Sequence, residues 1–141
     1  MFNHLSVDIE NIKRTNTPNG RRYVTPTGEL YPSVTTILSH KTKPFIQQWR
    51  KRVGAKTADK ISRQASTRGT SIHKLCENAL NNLPEETDRL SLLDQEMYSE
   101  FRPLLNGIDN IYALEAKLYS DHLRLAGQVD CIAEYNGKLS V

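Results

Sequence analysis

Asp130 has the setting that most suggests chemistry. It lies in Gly127-Gln128-Val129-Asp130-Cys131-Ile132-Ala133-Glu134-Tyr135, a run whose alternation predicts a β-strand. Leu125, Val129, Cys131 and Ala133 point to a core; Arg124, Gln128, Asp130 and Glu134 point away, with Ile132 among them. A carboxylate on such a face is a hard oxygen ligand for Mg²⁺ or Mn²⁺. An ion held there polarises a phosphate ester and turns bound water into hydroxide. Judged alone, the residue also fits a plain surface aspartate on a half-buried sheet. Glu115 lies on a second predicted strand, and pairing of the two strands turns both carboxylates to one side. There it binds metal directly or through water, or forms a simple ion pair with Lys117 or another cation. His73 falls at the edge of the apolar stripe of a predicted helix, near Glu77 one turn on, a common place for a structural hydrogen bonder.

The elements that must position these groups follow from turn signals and periodicity. Asn136-Gly137 is a strong two-residue hairpin signal, and Lys138-Leu139-Ser140-Val141 starts the return strand. In that register Tyr135 faces Lys138, and Asp130 faces a position two residues beyond Val141. Lys138 is therefore remote from Asp130 along the ladder. Residues 1–20 are polar and predict a flexible leader with little to bury, so that residues 21–141 form a single domain. Arg22-Tyr23-Val24-Thr25 and Leu30-Tyr31 flank Pro26-Thr27-Gly28-Glu29, a second hairpin. Ser33 is placed to cap a short helix through Val34, Ile37 and Leu38. Lys43-Pro44 predicts the start of another helix, with Phe45, Ile46 and Trp49 as its stripe, ended by Gly54. Ala55 to Ala65 is helix-compatible. Thr70 or Ser71 then starts a helix carrying Ile72, Leu75, Cys76, Ala79 and Leu80 on one face. A further helix is expected from about Thr87 to Leu105, with Leu90, Leu93, Met97, Phe101 and Leu104 aligned and Pro103 awkward at its end. From Asn110 the period becomes two: Tyr112, Leu114, Ala116 and Leu118 on one face, Ala113, Glu115, Lys117 and Tyr119 on the other.

At 141 residues, 38% apolar and 25% charged, the chain fits one ordinary globular domain. No apolar run approaches a membrane span. The N-terminus lacks the basic start and apolar stretch of a signal peptide, which predicts the cytoplasm, or the host cytoplasm for a viral protein. Cys76 and Cys131 are far apart without metal spacing and are expected to be buried free thiols. The net charge of +3 hides an asymmetry. Ser39 to Lys74 holds ten Lys/Arg against one acid, whereas Leu75 to Val141 holds five against twelve. A basic block beside an acidic half suits a protein that holds phosphate with one part and metal with the other; a solvated helical face gives the same charge pattern. Arg50, Lys51, Arg52, Lys56, Lys60, Arg63 and Arg68 are the candidate phosphate contacts. Trp49 or Tyr31 could stack on a base, although both also suit a core.

Gly-x-x-Asp on one strand, followed across a hairpin by the start of its return strand, resembles the core of the PD-(D/E)XK nuclease superfamily. Arg68-Gly69-Thr70-Ser71-Ile72-His73, the Ala113-Leu114-Glu115 strand and Tyr31-Pro32-Ser33-Val34-Thr35-Thr36-Ile37-Leu38 make it similar to the branch of RecB-type and mitochondrial genome maintenance exonucleases. The resemblance implies an α/β fold: a restriction-endonuclease-like core, incomplete at the C-terminus and cut within its central sheet, with an N-terminal helical portion. It implies a metal-dependent DNA exonuclease acting in replication, recombination or repair. His73, Glu115 and Asp130 would form the metal shell for Mg²⁺ or Mn²⁺. Arg68 and Thr70 would sit at a helix start, where backbone N–H groups favour phosphate. The family's return strand carries a second carboxylate and a lysine. The register puts that carboxylate opposite Asp130, about 4.5–5.5 Å away at Cβ, and the lysine two residues further on. Lacking both, the chain alone is expected to be inactive. DNA with single-stranded character or ends is the implied partner. The open sheet edge admits a complementing C-terminal polypeptide or self-association. A non-catalytic DNA-binding module or a protein-interaction module derived from such a nuclease is the alternative.

Overall fold

Two antiparallel three-stranded sheets carry the chain, and three helices occupy the sequence between them. The computed structural model describes residues 1–141. Strands β1 (Lys13–Thr17), β2 (Gly20–Val24) and β3 (Leu30–Pro32) form the first sheet in that order. Helices α1 (Val34–Val53), α2 (Ala55–Leu80) and α3 (Leu92–Phe101) follow, then a 3₁₀ turn over Arg102–Gly107. Strands β4 (Ile108–Ser120), β5 (Leu125–Tyr135) and β6 (Lys138–Ser140) form the second sheet in sequence order. The fold is thus mixed α/β, consistent with part of a restriction-endonuclease-like core.

The second sheet follows the expected pattern most closely. Asn136 and Gly137 adopt positive φ angles of 49° and 75°, as a tight hairpin turn between right-twisted strands requires. Tyr135 pairs with Lys138, Glu134 with Leu139 and Ala133 with Ser140. Strands β4 and β5 are long and paired from Ser120–Leu125 to Ile108–Tyr135, with a register shift between Asp109 and Ala113. The outer edge of β4 is covered by the N-terminus: Leu5 N–H donates to the Ile111 carbonyl at 2.8 Å, and Ile111 N–H donates to the Asn3 carbonyl at 2.8 Å.

That contact corrects the expectation of a leader with little to bury. Lys13–Thr17 pairs with Gly20–Val24 as β1, and Ile12 is 1% exposed. Ile12 packs with Tyr23, Tyr31 and Ala126, so this cluster joins the first sheet to β5. Tyr31, a candidate for base stacking, is buried there, with its hydroxyl 2.7 Å from Glu29 and 2.8 Å from Asp121. A second cluster, Leu80, Ile111 and Ala133 with Phe2 and Leu114 against it, joins the end of α2 to the second sheet.

The helices differ from expectation in their boundaries. Ser33 caps α1 as expected, its Oγ accepting from Thr36 N–H at 3.0 Å. The helix then continues through Pro44 instead of restarting there. Proline lacks the N–H that would reach back to His40, so the helix tolerates one missing bond. Gly54, with φ 85° and its N–H on the Arg50 carbonyl at 3.0 Å, ends α1. Helix α2 runs unbroken through Gly69; one interior glycine costs only about 1 kcal/mol relative to alanine. Thr70 and Arg68 therefore lie mid-helix, not at a helix start, and the helix-terminus phosphate site expected there is not formed. Helix α3 starts late because Ser91 is the residue that caps it, accepting from Asp94 N–H at 3.2 Å. The stripe expected over Leu93, Met97, Phe101 and Leu104 is exposed; Tyr98 and Leu105 are the buried residues. Tyr98 donates to Glu85 at 2.6 Å and Arg102 Nε donates to the same carboxylate at 2.8 Å, which ties the segment before α3 to its end. No helix is long and apolar enough to cross a membrane.

The burial of Ile12 has a measurable consequence. Ile12→Ala is expected to cost about 2–5 kcal/mol, the range for truncating a buried aliphatic side chain, read as a lowered urea midpoint. A change within experimental error would show that the segment before β1 contributes no core.

Candidate metal centre

Helix α2 and the β4–β5 ladder bring three sequence-distant groups together. Leu75, Ala79 and Leu80 are the buried residues of the C-terminal half of α2. Their burial turns the flank carrying His73 toward β4. The imidazole Nε2 lies 2.8 Å from Glu115 Oε1, and Nδ1 lies 3.8 Å from Asp130 Oδ2. One donor atom from each of His73, Glu115 and Asp130 lies within 4.8 Å of the others.

The backbone at Glu115 departs from a regular strand. Its φ is +53°, the left-handed region, which a residue with a Cβ enters at a cost of order 1–2 kcal/mol. The ladder pairs Leu114 with Cys131 and Ala116 with Val129, and the intervening rung, Glu115 opposite Asp130, is not a regular pair. Leu114, Glu115, Asp130 and Cys131 all line one cavity beside this irregular rung. Such outliers cluster where the surrounding fold holds a functional group in place. Glu115 is not paired with Lys117. Its second oxygen, Oε2, accepts from the Gln128 side-chain amide. Gln128 was not singled out from sequence, although it shares the polar face of β5 with Asp130.

The donor set fits a divalent cation. Octahedral ligands at about 2.1 Å place neighbouring donors about 3 Å apart, which matches the His73–Glu115 separation of 2.8 Å. Two carboxylates suit Mg²⁺ or Mn²⁺, and the imidazole favours Mn²⁺. The side chains of His73, Glu115 and Asp130 are 44%, 34% and 76% exposed, so water and a polymer reach them. Lys138 lies next to the turn, paired with Tyr135, away from this group. Glu77 pairs with Lys74 at 2.9 Å.

A cavity of about 530 Å³ adjoins the three ligands, walled by Ile72, Leu80, Phe101 and Leu114 among others, with Arg68 also lining it. Arg68 Nε donates to Asp94 Oδ1 at 2.6 Å, and Ser91 Oγ donates to Oδ2 at 2.7 Å. These two donors, Ser91 first, hold the Asp94 carboxyl below the ordinary aspartate range. Arg68 keeps its terminal nitrogens for another acceptor. Cys76 and Cys131 are free and half-buried on the same wall, and burial pushes both thiols up. Among the other basic candidates, Arg50 is paired with Asp59 at 2.7 Å. Lys51, Arg52, Lys56, Lys60 and Arg63 are exposed, as is Thr70.

These features define a mixed α/β chain with a two-carboxylate, one-imidazole candidate metal centre beside basic helices. In sequence, the chain is similar to mitochondrial genome maintenance exonuclease 1 of Mus musculus, 27% identical over 118 residues covering 78% of this chain. It is likewise similar to the Homo sapiens protein of that name, 28% identical over 123 residues covering 79% of this chain. The chain spans 35% of the length of each. No protein-family model matches it.

The ion pairs around α3 predict an acid response. Arg102, and in part Tyr98, hold the Glu85 carboxyl below its ordinary value, as Ser91 and Arg68 do for Asp94. Both groups are depressed in the folded state, so their stabilisation is present above the unfolded values of 4.5 and 3.8 and is lost as pH falls through the folded ones. The urea midpoint is expected to drop as the pH is lowered through this range. Arg102→Leu should show a shallower drop relative to its own neutral-pH value; a curve parallel to wild type would count against the assignment.

Proposed function

We propose that this chain is a metal-dependent DNA exonuclease, or the N-terminal part of one, of the PD-(D/E)XK type and close to its RecB-like branch. The observation that carries this reading is the convergence of His73, Glu115 and Asp130 within 4.8 Å. The similarity to proteins named as exonucleases supports it independently. Asp130 and Glu115 would supply oxygen ligands and His73 a nitrogen ligand. Bound Mg²⁺ or Mn²⁺ supplies Lewis-acid activation of the phosphodiester and of water. Within the chain, the ligands orient the cation, the half-open site admits a DNA end or unpaired strand, and Arg68, braced by Asp94, meets a phosphate oxygen. The lysine and second carboxylate that the resemblance calls for are not among these 141 residues. The three ligands are therefore expected to bind cation but give little turnover unless a complementing segment or a second copy adds along β6.

Asp130→Asn and His73→Ala are each expected to weaken Mn²⁺ binding by at least tenfold in calorimetry while leaving the unfolding midpoint in EDTA within a small margin of wild type. Wild-type affinity in both variants would sink the metal assignment. Robust Mn²⁺-dependent hydrolysis of labelled DNA by the 141-residue chain would instead overturn the expectation of low activity.

A second reading, DNA binding without catalysis, is favoured by the exposed cations of α1 and α2. It requires no metal. Under either reading, replacing Lys56, Lys60 and Arg63 together by Gln should reduce the slope of log affinity against log salt by about 2 for a single strand. Arg50→Gln, already paired with Asp59, should change it little. Equal slopes for the triple variant and wild type would remove α2 from the DNA contact.

A further inference from the structure

Glu115 has two oxygens, and the structure gives them different work. Oε1 faces the His73 ring, and Oε2 accepts the side-chain amide of Gln128. The two contacts are not equivalent toward a cation. A hydrogen bond between His73 Nε2 and Glu115 needs a proton on that nitrogen, and the bond gives way when Nε2 itself offers its lone pair to a metal. The Gln128 amide always has N–H to donate, so its bond to Oε2 persists when Oε1 takes a metal. Gln128 is also placed for this by the ladder. It pairs with Lys117 and lies diagonally across from Glu115, a spacing that a long side chain spans. Glu115 itself sits at φ +53°, so its backbone is not held by a regular rung, and the side-chain contacts carry the orientation.

We propose that Gln128 is the positioning residue of the metal centre: its amide occupies Oε2 of Glu115, presents only Oε1 to the cation, and thereby makes Glu115 a one-oxygen ligand. This rests on the metal-centre reading above. One-oxygen carboxylates suit the small octahedral ions Mg²⁺ and Mn²⁺, whereas two-oxygen binding suits the larger, more highly coordinated Ca²⁺. Gln128 therefore selects against Ca²⁺ as well as ordering the ligand. A neutral amide does this without adding a third negative charge to the site.

The test is Gln128→Met, which keeps length and removes the donor, with Gln128→Asn as a second variant whose amide is too short to reach. Mn²⁺ and Ca²⁺ binding to the 141-residue chain is measured by calorimetry, with unfolding in EDTA as the control for folding. Both variants are expected to bind Mn²⁺ about 10–100-fold more weakly, while Ca²⁺ binding falls less, so the Mn²⁺/Ca²⁺ preference narrows several-fold. A purely structural role would move the unfolding midpoint and leave the preference unchanged. Wild-type Mn²⁺ affinity and preference in a folded Gln128→Met chain overturns the proposal while Asp130→Asn still reports on the metal centre. If wild type binds no Mn²⁺, the metal centre and the role of Gln128 fall together.

Discussion

The β4–β5 ladder is the constraint on which the rest of the structure depends. Besides the register shift between Asp109 and Ala113, it has one irregular rung, where Glu115 lies opposite Asp130. Regular pairing from Leu125 to Val129 on one side, and of Cys131 and Ile132 on the other, over-determines the backbone in between. That rigidity lets Glu115 persist in a left-handed conformation. The two carboxylates then project from one place, and the C-terminal half of α2 closes on them with His73. The same ladder is anchored at one end through Ala126 to the first sheet and at the other through Ile111 and Ala133 to α2.

Around this frame the charges divide the molecule by role. Acidic side chains concentrate in the second half, where Glu115 and Asp130 face the imidazole and Glu85 and Asp94 each hold an arginine. Basic side chains concentrate on α1 and α2, and α1 buries none of its residues. Three of the cations are not free charges: Arg50, Arg68 and Lys74 already have carboxylate partners at 2.7, 2.6 and 2.9 Å. For Arg50, the ion pair links α1 to α2. For Arg68, the single Nε contact leaves a fixed fork of donors beside the cavity, a pre-organised arrangement for an oxyanion.

Much of the architecture was legible in the sequence, for local reasons. The Asn136-Gly137 turn sets the β5–β6 register because a two-residue loop matched to strand twist admits one alignment. Ser33 and Gly54 mark the limits of α1 through capping and positive φ. The period-two segments became β4 and β5, and His73, Glu115 and Asp130 stood out as residue types with ligand chemistry. What was not legible is non-local. The N-terminal segment looked poor in apolar residues, yet one of its isoleucines, Ile12, fills a site made by β2, β3 and β5. Lys43-Pro44 and Thr70 or Ser71 looked like helix starts but lie within continuous helices, since the cost of one missing bond at Pro44 or one glycine at Gly69 is offset by the turns on either side.

The sequence by itself determined the turns, the caps, the strand periods and the supply of candidate ligands, because these depend on neighbours a few residues away. Only the tertiary structure decided that the imidazole on α2 meets both carboxylates, that Gln128 rather than Lys117 holds Glu115, and that Arg68 leans on Asp94. Each of those contacts joins groups brought together by helix-to-sheet packing or by a broken rung of the ladder, and neither leaves a mark in local residue pattern.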